Sequence, residues 1–128
     1  MNYDFDGLAK KFSRRFLLSG DILFREGDTN GDGFIVEKGE LELTRYHDNV
    51  IERTALLEEG EVVGVWKILF NNETRYFTAT ATKETTVIVI PESHLSLLLS
   101  QADPFLIHCF QKWLDVSRSY MADSSSGS

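Results

Sequence analysis

FLLSGDILFREGDTNGDGFIVEKGELEL, residues 16–43, is the stretch whose reading decides the fold. It contains three short apolar runs, Asp21-Ile22-Leu23-Phe24, Phe34-Ile35-Val36 and Leu41-Glu42-Leu43, broken by Gly27, Asn30-Gly31 and Gly39. Runs this short, rich in β-branched and aromatic residues and bounded by turn formers, are strands rather than helices. The pattern continues outward through Thr54-Ala55-Leu56-Leu57, Tyr76 to Ala81 and Val87-Ile88-Val89-Ile90, with turn signals at Asp48-Asn49, Gly60 and Asn71-Asn72. No helix-length segment separates the runs, which disfavours a parallel βαβ sheet. A mainly β fold, an antiparallel sandwich or barrel, is expected.

Helical periodicity frames this block. From Asp6 to Phe16 the apolar residues Leu8, Phe12 and Phe16 recur every four positions and predict a short N-terminal helix. After Pro91, Leu95, Leu98 and Leu99 share one face of a segment ending near Ala102. A further helix is expected from Asp103-Pro104, where Asp caps and Pro occupies the first turn. Phe105, Cys109, Phe110, Trp113, Leu114 and Tyr120 give that helix an apolar face broader than one small sandwich must cover. Residues 1–122 therefore read as one domain, and 123–128 as a flexible polar tail.

Composition supports one globular core: 128 residues, 42% apolar, with 9 Phe, 4 Tyr and 2 Trp. No apolar run approaches the roughly 18 residues of a membrane helix, and the N-terminus lacks a signal-peptide pattern. A soluble, cytoplasmic domain is the expectation, and the single cysteine, Cys109, fits a reducing compartment. With 13 basic against 20 acidic side chains the net charge is −7, which argues against nucleic-acid binding. The one basic cluster, Lys10, Lys11, Arg14 and Arg15, reads as a solvated helix face.

One motif misleads. Asp28-Thr29-Asn30-Gly31-Asp32-Gly33 reproduces the opening of a calcium-binding EF-hand loop. Its twelfth position, where a bidentate Glu must close the ion's shell, is Gly39, and both flanks read as strands. The loop is instead expected to be a polar hairpin turn with Asn30 and Gly31 at positive φ. His47, His94 and His108 have no metal-ligand spacing, no serine sits in a nucleophile elbow, and Cys109 has no suitable partner. Neither a metal site nor an enzyme is expected.

The ordered glycines and apolar runs carry more. Phe16 to Asp28 reads F-x-x-x-G-D-x-x-F-x-x-G-D, followed by Phe34-Ile35-Val36-x-x-Gly39-x-Leu41-x-Leu43, then Leu56-Leu57-x-x-Gly60-x-x-Val63-Gly64, then Arg75 and Thr78-Ala79-Thr80-Ala81. Over residues 5–118 this resembles the cyclic nucleotide-binding domain family. The resemblance implies an antiparallel β jelly-roll with flanking N- and C-terminal helices, enclosing a phosphate-binding cassette of roughly F-G-E-L-x-L, a short helix, and P-R-A-A-T. It implies a non-catalytic regulatory or sensor module in which ligand repositions the C-terminal helices, and it assigns Gly64, Val65, Trp66, Arg75, Tyr76, Phe77 and Thr78 to the ligand site. The implied ligand is cAMP, cGMP or another small anion. A buried Arg fork can pair the two exocyclic oxygens of a cyclic phosphate, which is the chemistry such a cassette requires.

Three positions depart from the family pattern. Val65 stands where the family has the Glu that accepts the ribose hydroxyl, a loss worth about 1.5 to 3 kcal/mol. Tyr76 and Phe77 replace two small residues, and strand alternation would turn one ring into the pocket, so that a self-filled interaction scaffold is the alternative to a ligand sensor. Thr74 replaces the proline. Arg75 is open between a phosphate role and an ion pair with an acidic turn residue, and Gly64 between ligand contact and a strand-end turn. Trp66 and Trp113 read as core. No output domain fits after Tyr120, so output is expected through a partner protein or self-association of the C-terminal helix. The calcium reading is checked by thermal unfolding: millimolar calcium is expected to leave Tm unchanged, whereas a rise of several degrees that disappears in Asp28→Ala would restore the EF-hand interpretation.

Overall fold

A computed structural model describes residues 7, 10–69 and 73–113, with Trp66 and Leu69 described in their backbone only. The strands are β1 (Arg14–Leu17), β2 (Ile22–Phe24), β3 (Gly33–Lys38), β4 (Leu41–His47), β5 (Val50–Leu57), β6 (Val62–Val63), β7 (Thr78–Ala81) and β8 (Thr85–Ile90). Two helices, α1 (Trp66–Leu69) and α2 (Glu92–Gln101), interrupt or follow them. Residues 104–113 are helical again.

The strands form two four-stranded sheets, ordered β1-β8-β3-β6 and β2-β7-β4-β5. Every pairing is antiparallel. This is the jelly-roll expected from the short runs. Between the sheets lies the main core, in which Phe34, Val36, Leu41, Leu43, Ala79 and Val87 are almost fully enclosed. The continuous run Val87-Ile88-Val89-Ile90 is explained by burial on both faces. Val87 and Val89 point into the main core, while Ile88 and Ile90 join Ile35 in a second cluster covered by Phe12 and Leu95. The β4–β5 hairpin turns at Asp48 and Asn49, both at positive φ (50° and 63°), as a tight two-residue turn matching the strand twist demands.

The structure corrects the sequence reading in three places. The N-terminal helix does not reach Phe16: residues 10 and 11 are helical, but Arg14–Leu17 is β1, whose pairing to β8 runs from Arg14↔Ile88 to Leu17↔Thr85. Sheet pairing overrode the four-residue periodicity, leaving Phe12 packed and Phe16 in water. Residues 25–32 are not a hairpin, because β2 and β3 belong to different sheets and the loop crosses between them. Asn30 and Gly31 accordingly are not among the positive-φ residues. Finally, Tyr76 and Phe77 precede β7 and do not alternate as strand residues. There the chain is tied instead to the crossing loop, with Arg75 N–H donating to Asp28 O (2.8 Å) and Gly27 N–H to Arg75 O (2.9 Å).

The start of α2 shows how the crossing loop positions the helices. Pro91 precedes the helix and has no side chain able to cap it. Asp32 supplies the cap from the loop, its Oδ1 accepting from Glu92 N–H at 2.8 Å. The next helix is capped locally as expected, Asp103 Oδ1 accepting from Phe105 N–H at 2.8 Å. Its predicted apolar residues Leu114 and Tyr120, like Leu8 of the N-terminal helix and the 123–128 tail, lie outside the described residues. Removing the remote cap in Asp32→Ala is expected to lower stability by about 1 kcal/mol, read as a fall in the urea midpoint at unchanged slope.

Candidate functional site

Arg75 stands two residues before the buried Phe77 and is itself only 3% exposed. Its guanidinium donates from Nη1 to Gly64 O (2.8 Å) and from Nη2 to Asp32 O (2.7 Å) and Asn30 Oδ1 (3.2 Å). Its plane is also backed by aromatic rings, with Cζ at 4.3 Å from the centroid of Phe24 and 5.8 Å from that of Phe34. Burial pulls the Arg75 pKa below its ordinary value, and the nearby charges of Asp32, Asp28 and Glu92 oppose that shift. Nε is buried and has no hydrogen-bond partner among the described residues. Of the two roles left open for Arg75, the structural contacts are to carbonyl and amide oxygens rather than to a carboxylate.

The EF-hand-like loop is the cradle of this arginine. Asp28 Oδ2 accepts from Arg25 N–H (2.9 Å), Asn30 Oδ1 from Asp32 N–H (2.9 Å) as well as from Arg75, and Asp32 Oδ1 caps α2. These oxygens, which resemble calcium ligands in sequence, bond to the chain itself. Glu92 closes the network: its Oε2 accepts from Gly31 N–H (2.8 Å), and its Oε1 lies 3.9 Å from Lys67 Nζ on α1. Gly31 lies close against Glu92: a Cβ there would stand 2.6 Å from Glu92 Cδ, so the carboxylate would have to move.

Gly64 is required twice over. Its φ is +87°, and a Cβ would lie 2.7 Å from Arg75 Nη1 and 2.9 Å from Asp32 O. The next residue, Val65, packs on the other side of the loop, its Cγ1 lying 3.1 Å from where a Cβ on Gly33 would stand. The residue that follows Gly64 is thus an apolar one that lines the loop.

A cavity of about 670 Å³ opens beside these residues. Gly64, Val65, Arg75, Tyr76 and Phe77 line it, so five of the expected ligand-site positions converge. Thr78 is not among the lining residues, and its Oγ1 accepts from Glu26 N–H (2.9 Å). The side chain of Trp66 lies outside the described residues. Tyr76 and Phe77 stand with ring centroids 6.4 Å apart in the wall, Phe77 reaching into the main core. Trp113, read from sequence as core, is 68% exposed and lines the cavity's rim with Phe110 and Leu106. Sequence reasoning missed Lys67, Asn30, Asp32 and Glu92. The glycines at 31 and 33 were the only local signal that something packs closely on the loop.

The cyclic nucleotide-binding domain profile matches residues 14–102, well over half of the chain, and the protein belongs to that family. The domain is of the regulatory, sensor type. Solved structures with the same fold include the EAL enzyme Bd1971 in its cAMP-bound form, at 22% identity and a TM-score of 0.73, covering 87% of this chain and 30% of that one. The catabolite activator protein of Thermus thermophilus superposes with a TM-score of 0.71 at 26% identity, covering 92% of this chain and 55% of its own. The c-di-GMP-responsive regulator CLP of Xanthomonas campestris gives a TM-score of 0.72 at 19% identity, covering 94% and 63%. This chain therefore spans less than two thirds of the length of each of these neighbours. Among curated proteins none matches.

The geometry makes two stability predictions. Gly64→Ala combines a strained φ with two contacts shorter than a Cβ tolerates, and a loss of about 2 kcal/mol or more is expected. Arg75→Met removes the donors to three oxygens, and a loss above about 3 kcal/mol is expected by denaturant unfolding. A stable Arg75→Met domain would show that the loop holds its shape without the guanidinium.

Proposed function

We propose that this domain is a non-catalytic sensor whose cassette has lost tight binding of cyclic nucleotides. The observation that carries this reading is Val65. It occupies the cavity wall next to Gly64, where the family places a ribose acceptor, and its side chain packs near Gly33 and offers no oxygen. The engagement of Arg75 with Gly64 O and Asp32 O adds to it, because a phosphate must compete with these contacts or be content with what they leave. Bd1971 is described in forms bound to cAMP and to cGMP, so retained nucleotide binding is the rival outcome. The cavity beside Tyr76 and Phe77 favours a ligand-accepting domain over a scaffold whose pocket is filled by its own rings.

Calorimetric titration decides between them. Losing one hydrogen bond to a charged acceptor weakens binding roughly ten- to 150-fold, so cAMP and cGMP are expected to bind no tighter than about 10 μM. A sub-micromolar Kd for either nucleotide would reject the proposal.

A second feature favours output through protein contact, in a cytoplasmic setting. Phe105 is 74% exposed on the last helix and does not line the cavity. With Leu106, Phe110 and Trp113, 49%, 52% and 68% exposed on the same helix, it forms an apolar patch that fits self-association or a partner protein. Sedimentation equilibrium at tens of micromolar is expected to give twice the chain mass of 14.6 kDa, falling to the single mass in Phe105→Glu. A monomer in the wild type would leave only the partner.

A further inference from the structure

The cavity's chemistry is unlike that of a nucleotide site. Its walls are apolar from three directions: Val65 and Ile68 at the cassette, Leu98 on α2, and Leu106, Phe110 and Trp113 on the last helix. Leu98, Leu106 and Phe110 are about half exposed (48%, 49% and 52%), so they line the cavity and meet water. A contiguous apolar surface of this kind marks a binding site. A purine and its ribose carry several donors and acceptors, each of which must find a partner when buried, and these walls supply few. The one carboxylate among the described lining residues, Glu61, accepts from Glu58 N–H at 2.7 Å through Oε2.

Charge enters the lining with one sign in excess. Lys67 and Arg75 both line the cavity. The Lys67 side chain is only 12% exposed, and its carboxylate neighbour, Glu92 Oε1, stands at 3.9 Å, beyond hydrogen-bond distance. Arg75 Nε is buried with no partner among the described residues. Two cations thus stand in an otherwise apolar wall, and one anionic group in the cavity would complement their charge. An inorganic anion would satisfy the charge and leave the apolar walls wet. A neutral apolar molecule would cover the walls and leave that charge uncomplemented.

We infer that this cavity binds an amphipathic carboxylate, an aliphatic or aromatic body bearing one carboxylate group, with the charge received at Lys67 and Arg75 and the body laid against the last two helices. The inference deepens the sensor reading above and rests on it. Because Leu98 belongs to α2 and Leu106, Phe110 and Trp113 to the following helix, a ligand seated there contacts the elements that would carry a signal. It would also favour the arrangement in which those helices close on the cassette, by its differential affinity for that arrangement.

The test uses the full chain, with calorimetry and tryptophan emission, against octanoate, decanoate, 2-naphthoate, 1-decanol, inorganic phosphate and cAMP. Saturable binding of decanoate or 2-naphthoate is expected, the two acids distinguishing an aliphatic from an aromatic body. Each buried methylene is worth about fourfold, so decanoate should bind roughly fifteenfold more tightly than octanoate. Decanol is expected at least about tenfold weaker than decanoate, and Lys67→Gln should weaken decanoate by about tenfold while leaving decanol unchanged. Phosphate is expected not to bind. Equal binding of decanol and decanoate would reduce the cavity to an unselective apolar patch and overturn the inference, and this comparison does not depend on any variant folding. Failure of both acids overturns it as well. If cAMP also fails to bind, the sensor with a degenerate cassette survives that failure; if cAMP binds below the micromolar range, both readings fall together.

Discussion

Burial of one arginine is the constraint on which the site depends. A guanidinium removed from water must have its donors taken up by oxygens, and Arg75 finds them on two segments far apart in sequence, the 30–32 loop and Gly64. Because three hydrogen bonds and the Phe24 ring hold one planar group, the two segments are held relative to each other. The glycine at 64 follows from the same demand, since Arg75 Nη1 and Asp32 O approach the backbone where a Cβ would stand. The loop then reaches α2 through Asp32 and Glu92, and α1 lies within range through Lys67. A disturbance at Arg75 is thereby connected by direct contacts to α2, the helix that follows the barrel.

Around that fixed point the chain places an apolar wall beside the arginine. Positive φ at Gly64 and the short α1 preserve the turn that brings backbone and arginine together. Val65 brings a branched hydrocarbon to the wall beside Gly64, and the nearby helices present leucine and aromatic side chains to the same space. The consequence is a cavity with a cationic element and apolar walls.

Much of this architecture was legible along the chain because it depends on local periodicity. The runs at residues 22–24, 34–36, 41–43 and 87–90 all became strands, and the helix after Pro91 and the Asp103 cap occur where spacing and capping chemistry place them. The failures have one cause. Arg14–Leu17 joined β8 because a long-range pairing outweighed a helical spacing of weak intrinsic strength, and the 25–32 loop crossed between sheets because its strands pair elsewhere. Trp113 lines a cavity rather than a core because its exposure depends on what the rest of the fold leaves uncovered.

The amino-acid sequence by itself determined the family, the antiparallel β class, the glycine at 64, the valine at 65 and the arginine at 75, since each is a matter of residue type at a spacing. Only the tertiary structure decided what Arg75 holds. Asn30 and Asp32 lie more than forty residues upstream of it, and their oxygens suggest a metal when read in order along the chain. Folding turns those groups toward a guanidinium and a helix end, because a buried charge and an uncapped amide are satisfied by whatever acceptors the sheets bring near, not by those adjacent in sequence.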